Sequence, residues 1–222
     1  LPIEKVNQDA NSELNRLALK LATGAGKTMV MAMLIAWQAI NAARRPNSKK
    51  FTNGFLIVTP GITIRDRLRV LQPNDPDSYY FKNELIPTDF RPELNKAKIV
   101  ITNFHAFMRR ERIKLAKVSR SLLQGRGTEI GTKESEGQMI QRVMPELMGM
   151  KNILVFNDEA HHCYRAKMKD IEEEKLKGDE RQEANENTRE ARIWISGLES
   201  VNRVIGIAKV ADLSATPFFL SG

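Results

Sequence analysis

Apolar runs rich in Val, Ile and Leu recur at residues 17–21, 55–58, 99–101, 153–156 and 210–213, each closed by a polar or glycine-containing turn. They show little alternation between apolar and polar positions, the pattern of strands covered on both faces. Between them the spacing predicts helices. Residues 28–41 are apolar nearly all round, which predicts a buried helix lying directly on a sheet. A second helix is predicted over 62–71, entered through Pro60-Gly61, and a third over 138–149. Strands alternating with helices predict an α/β fold, a mainly parallel sheet sandwiched by helices with right-handed crossovers. Three stretches depart from this core. Residues 44–53 read as a polar, basic loop and 122–137 as a flexible loop rich in Gly, Thr and Glu. Residues 165–190 are highly charged, either a solvated helix or a partly disordered segment.

The first apolar run leads into Thr23-Gly24-Ala25-Gly26-Lys27-Thr28 and then into the predicted helix. Strand, glycine turn and helix is the order of a phosphate-binding loop, because glycines let successive N–H groups curl inward toward phosphate oxygens. In this reading Thr23, Gly24, Ala25, Gly26, Lys27 and Thr28 bind ATP. Lys27 pairs with the β- and γ-phosphates, and Thr28 ligates Mg²⁺. The general pattern has a glycine where this chain has Leu21. The run 153–156 ends in Asn157-Asp158-Glu159 and supplies the carboxylates a hydrolytic site needs. Asp158 would hold Mg²⁺ and Glu159 would orient and deprotonate the attacking water, so Lys27, Asp158 and Glu159 are the catalytic candidates. His161-His162-Cys163 is a poor zinc site, because adjacent residues point apart and the only other histidine is His105.

Composition narrows the class. Of 222 residues 41% are hydrophobic and 28% charged, which suits one large globular α/β domain. The longest apolar stretch, 29–37, is too short to span a bilayer, and the chain opens on no leader-like segment. No membrane partner is expected. The single cysteine, Cys163, excludes an internal disulfide and suits a reducing cytoplasm. The net charge of +8 is unevenly spread. Residues 105–126 hold seven Arg and Lys against Glu111 alone, whereas 165–192 hold eight basic and nine acidic residues. A local excess favours a surface for a polyanion such as duplex DNA, with Arg109, Arg110 and Arg112 as candidate contacts.

Asp158-Glu159-Ala160-His161 is a DEAH box, and with residues 22–28 it resembles the superfamily 2 helicases and translocases. Leu213-Ser214-Ala215-Thr216-Pro217 is similar to their third motif, Val58-Thr59-Pro60-Gly61 to motif Ia, and Ile101-Thr102-Asn103-Phe104-His105 to motif Ib. The stretch ITIRDRL, together with NDEAHHCY and LSATPFFLSG, resembles the Res subunit of type III restriction enzymes. That resemblance implies a RecA-like P-loop domain over residues 1–222, the first of two motor domains. It also implies ATP hydrolysis that drives movement or switching on double-stranded DNA, a partner DNA methyltransferase subunit, a nuclease domain, and a bacterial or archaeal cytoplasm. By carry-over, His161, Ser214 and Thr216 couple nucleotide state to DNA state, and Thr59, Gly61, Thr102 and Asn103 contact the DNA backbone. Nothing here matches motifs IV to VI, the arginine finger or a nuclease pattern, so the chain is expected to be a fragment with little turnover of its own. Another superfamily 2 DNA or RNA helicase, or a nucleotide-gated nucleic-acid-binding module, is the alternative reading.

Overall fold

The computed structural model describes residues 5–7, 9, 11, 13–110, 133–163 and 179–215. Its centre is a five-stranded, wholly parallel sheet. The strands are β1 (Arg16–Lys20), β2 (Gly54–Thr59), β3 (Lys98–Asn103), β4 (Ile153–Asp158) and β5 (Ile207–Ser214), in the order β1-β5-β4-β2-β3. The strand carrying Ser214 is thus inserted between the strand that leads into the glycine turn and the strand that ends in Asp158. Parallel pairing puts the ends of all five strands on one rim, where α/β sheets present ligand sites.

Helices cover both faces. On one side lie α1 (Lys27–Arg44), α2 (Ile62–Arg67), α3 (Tyr79–Lys82) and α4 (Arg91–Leu94). Their apolar side chains pack with Phe55, Ile57, Leu154, Phe156, Ala211 and Leu213. On the other side α5 (Glu136–Val143) and α6 (Asp179–Val204) pack over Leu56, Val58, Val155 and Val210. The odd and even positions of each strand therefore feed separate cores, as the period-two geometry of a strand requires.

Local chemistry explains where the elements stop. A full capping box opens α5, with Ser135 accepting from the Gln138 N–H and the Gln138 side chain accepting from the Ser135 N–H. The segment expected to be one helix over 62–71 is α-helical only to Arg67 and tightens into a 3₁₀ turn over Leu68–Leu71.

Several expectations need correction. Every residue of β2 and β4 is buried, as continuous apolar runs imply, but β1 is an edge strand with Leu17 at 43% exposure. Helix α1 buries Met31, Ala32, Ile35, Ala36 and Ala39 yet exposes Met33 and Trp37, so it is one-sided rather than buried all round. The predicted third helix ends at Val143, where Pro145 starts a 3₁₀ turn. The charged segment after residue 178 is helical, and α6 continues into an apolar half that includes Trp194, Ile195 and Leu198. The expected loop over 122–137 lies outside the described residues as far as 132, and its last two residues already belong to α5.

Candidate nucleotide site

Residues 23–26 form an exposed turn between β1 and α1. Gly24 and Gly26 adopt φ of +78° and +83°. Gly24 has open space where a Cβ would stand and Gly26 only an ordinary contact with Met29 Cβ at 3.6 Å, so backbone conformation rather than crowding calls for glycine there. The Ala25 N–H turns back to the Ala22 carbonyl at 3.0 Å, closing the curl. Helix α1 then starts with no side-chain cap, its first helical bond running from Val30 N–H to the Gly26 carbonyl at 3.0 Å. The amides of its first turn consequently have no helical acceptor and point at the rim, where they suit an anion.

Opposite this turn, β4 delivers its acidic pair. The Lys27 ammonium donates to Glu159 Oε1, and the two groups form an ion pair that is only partly exposed. Glu159 holds φ of +51°, a left-handed conformation uncommon for a residue with a Cβ. It turns the chain out of the strand into a 3₁₀ turn over Ala160–Cys163. Asp158 is 6% exposed, and its Oδ1 is buried without a hydrogen-bond partner. Burial pushes the Asp158 carboxyl up from its ordinary range, and the Lys27 charge opposes that shift only in part. An orphaned carboxylate oxygen near the Lys27–Glu159 pair fits a hard divalent cation such as Mg²⁺, which takes oxygen donors.

His161 Nδ1 lies 3.0 Å from Ser214 Oγ and 3.6 Å from Glu159 Oε2. Burial lowers the imidazole below its ordinary range, with the charge of His162 adding to the effect. The end of β5 and the DEAH turn are thereby joined through side chains. Thr216 and Arg112, both candidates from the sequence, lie outside the described residues.

The candidate DNA contacts separate into two kinds. Thr59 is fully buried, and its hydroxyl donates to the Gly61 carbonyl at 2.9 Å. The Thr102 hydroxyl donates to the Asn103 carbonyl at 3.3 Å and is itself buried. Both hydroxyl protons are thus committed to carbonyls of the rim. Gly61, with open space around its Cα, and Asn103, which caps the turn Phe104–Phe107 by accepting from the Ala106 N–H, remain at the surface. Arg109 and Arg110 are exposed, though Arg109 is also paired with Glu136 at 2.8 Å.

Behind the acidic strand lies a polar network that the sequence reading did not single out. Arg16 Nε donates to Asp212 Oδ2 at 2.8 Å and its terminal nitrogen reaches Cys163 Sγ at 3.2 Å. Asn157 Nδ2 donates to Asp212 Oδ1 at 2.7 Å, and Trp194 Nε1 donates to Asn157 Oδ1 at 3.0 Å. Burial raises the Asp212 carboxyl while Arg16 and Asn157 draw it back, and burial pushes the Cys163 thiol up to about 12, which keeps it protonated and inert. The signal was present as Asp212 inside an apolar strand and Arg16 at the start of another.

Among the described residues no helix is long and apolar enough to cross a membrane. No curated protein and no solved structure matches the chain. The family model for the type III restriction enzyme res subunit does, over residues 2–218. With a parallel P-loop sheet and a lysine facing an Asp-Glu pair, the chain belongs to that family, the superfamily 2 helicase-like ATPase motors of the Res type.

Proposed function

We propose that this chain is the first RecA-like motor domain of a type III restriction enzyme, binding Mg-ATP and hydrolysing it to drive movement or switching on duplex DNA. The observation that carries the reading is the Lys27–Glu159 contact next to the unpartnered Asp158 oxygen. Residues 23–28 cradle the phosphates through backbone N–H groups, and Lys27 exchanges Glu159 for phosphate oxygens when nucleotide arrives. Glu159 is then free to orient water and accept its proton. Thr28 and Asp158 would hold Mg²⁺, which supplies neutralisation of charge on the phosphates. His161 and Ser214 report the state of this site to the neighbouring strand, with Thr216 as a further participant. Gly61, Asn103, Arg109, Arg110 and Arg112 offer a sequence-independent backbone contact to DNA. A second motor domain supplies the opposite wall of the cleft and the arginine finger, a methyltransferase subunit is the partner, and the setting is a bacterial or archaeal cytoplasm.

Full-length protein tests this with two substitutions. Lys27→Ala should abolish ATP binding, whereas Glu159→Gln should leave binding intact and lower turnover by roughly 10²–10⁴, the worth of a general base. Unchanged ATP affinity in Lys27→Ala would overturn the assignment of the loop. Stimulation of turnover by duplex DNA over RNA separates the restriction reading from an RNA helicase.

A further inference from the structure

One face of α6 is given over to the turn that follows β3. Glu190, Trp194 and Gly197 stand at i, i+4 and i+7, so they share that face. The Glu190 carboxylate lies 3.9 Å from His105 Nε2. Trp194 stacks on Phe104 with ring centroids 5.2 Å apart and 8° between the planes. Gly197 fits so closely against Phe107 that a Cβ would fall 2.4 Å from its ring. Phe104 in turn stacks on His105 at 4.0 Å. Phe104 and Trp194 are both buried, so a shift of one ring is passed to the other through the stack. The turn is capped by Asn103, at the rim proposed above to meet DNA.

The N–H edge of the same indole reaches the acidic strand. Its N–H donates to Asn157 Oδ1 and thereby fixes the amide so that Nδ2 faces Asp212. Asn157 immediately precedes Asp158. In the sheet β2 separates β4 from β3, so the two strands share no ladder. Trp194, fully buried, spans that gap with one side chain.

We propose that Trp194 is a positioning residue that couples duplex DNA bound at the end of β3 to the acidic end of β4, through its stack on Phe104 and its hydrogen bond to Asn157. The proposal rests on the ATPase reading above. A displacement of Phe104 tilts the indole, the N–H carries Asn157 with it, and the peptide linking Asn157 to Asp158 re-aims the carboxylate.

Trp194→Phe in the full-length protein keeps a ring against Phe104 and deletes the N–H. DNA-free turnover, its stimulation by duplex DNA and the duplex affinity are measured side by side. Stimulation should fall about 2- to 30-fold, the size of coupling changes seen along such routes, with DNA-free turnover and DNA affinity unchanged. Phe104→Leu removes the stack while leaving the N–H on Asn157, should lose stimulation in the same way, and stands in if Trp194→Phe does not fold. In the unaltered protein, duplex DNA should change amide hydrogen exchange at 103–107 and at 157–158 together. Full stimulation in either folded variant, equal loss of DNA-free and stimulated turnover, or exchange at 157–158 that ignores DNA overturns the coupling. An unaltered protein that hydrolyses ATP without responding to duplex DNA also overturns it and leaves the ATPase reading standing. Failure to bind ATP at all overturns that reading instead.

Discussion

Asn157 and Asp158 are neighbours at the end of β4, yet the polar clusters they belong to are built in opposite ways. Asn157 points toward α6 into a network whose members answer one another: Arg16, Asp212 and Trp194 each have partners at 2.7–3.2 Å. Asp158, on the other face of the strand, keeps one buried carboxylate oxygen with no partner, beside the Lys27–Glu159 pair at the rim. Burial raises both Asp158 and Asp212, but only Asp212 accepts donors from two side chains that pull it back. A satisfied buried network fixes one arrangement, whereas an unsatisfied group is a cost the fold carries until a ligand relieves it. Strand periodicity places these two solutions one residue apart.

The largest effect should come from breaking the satisfied side. Asp212→Ala removes the carboxylate that pairs with the Arg16 guanidinium at 2.7 Å, where Arg16 is only 11% exposed. Removing one partner of a buried pair costs about 3–5 kcal/mol, which chemical denaturation reads directly. Replacing both, as in Arg16→Met with Asp212→Leu, should recover much of that loss. If the double variant is as unstable as the single one, the pair matters for packing and not for charge.

The open side should respond with the opposite sign. Asp158→Asn removes a carboxylate whose ionised form burial disfavours, so the nucleotide-free protein should gain about 0.5–2 kcal/mol while losing the negative charge proposed to hold Mg²⁺. The raised position of Asp158 means that its ionisation weakens the fold as pH rises through it. The gain should therefore be full at neutral pH and shrink as acid protonates the unaltered protein. A loss of stability at neutral pH would show that Lys27 more than compensates for burial, and the two clusters would then be alike.

How much of this was legible in the sequence differs between the two sides. The five strands, the glycine turn and the facing Asp-Glu pair could be read because spacing along the chain determines them: apolar runs, two glycines, and a lysine where a helix begins. The Arg16–Asp212–Asn157–Trp194 network could not, since its members lie on β1, β5, β4 and α6 and meet only through strand order. Register pairs Asn157 with Asp212 directly, and no sequence period encodes that pairing. The apolar half of α6 was obscured by the charged residues before it. Thr59 and Thr102 matched surface motifs, but their hydroxyls are occupied by neighbouring carbonyls, a fact only packing reveals.

The smallest effect belongs to a third cluster, satisfied like the first but lying near the surface like the second. Glu134 takes a two-pronged contact from Arg142, at 2.9 Å from Nε and 2.8 Å from Nη2, and accepts the Arg110 N–H at 3.1 Å. Arg142 also holds the carbonyls of Ala106 and Met108, so this clamp ties the end of the post-β3 turn to the last turn of α5. The Arg142 contact holds the Glu134 carboxyl down at about 2, from an ordinary 4.5. A depressed carboxylate stabilises the fold above its free value and loses that contribution as pH falls from about 4.5 toward 2. Solvent near the pair limits its worth to roughly 1 kcal/mol. Melting curves of the unaltered protein and Glu134→Gln should therefore differ by that amount at pH 6 and converge only as pH falls to about 2, since glutamine has no proton to take up. A difference that stays constant with pH would mean that the clamp acts through shape alone, and that charge at this rim is left for a polyanion rather than for the fold.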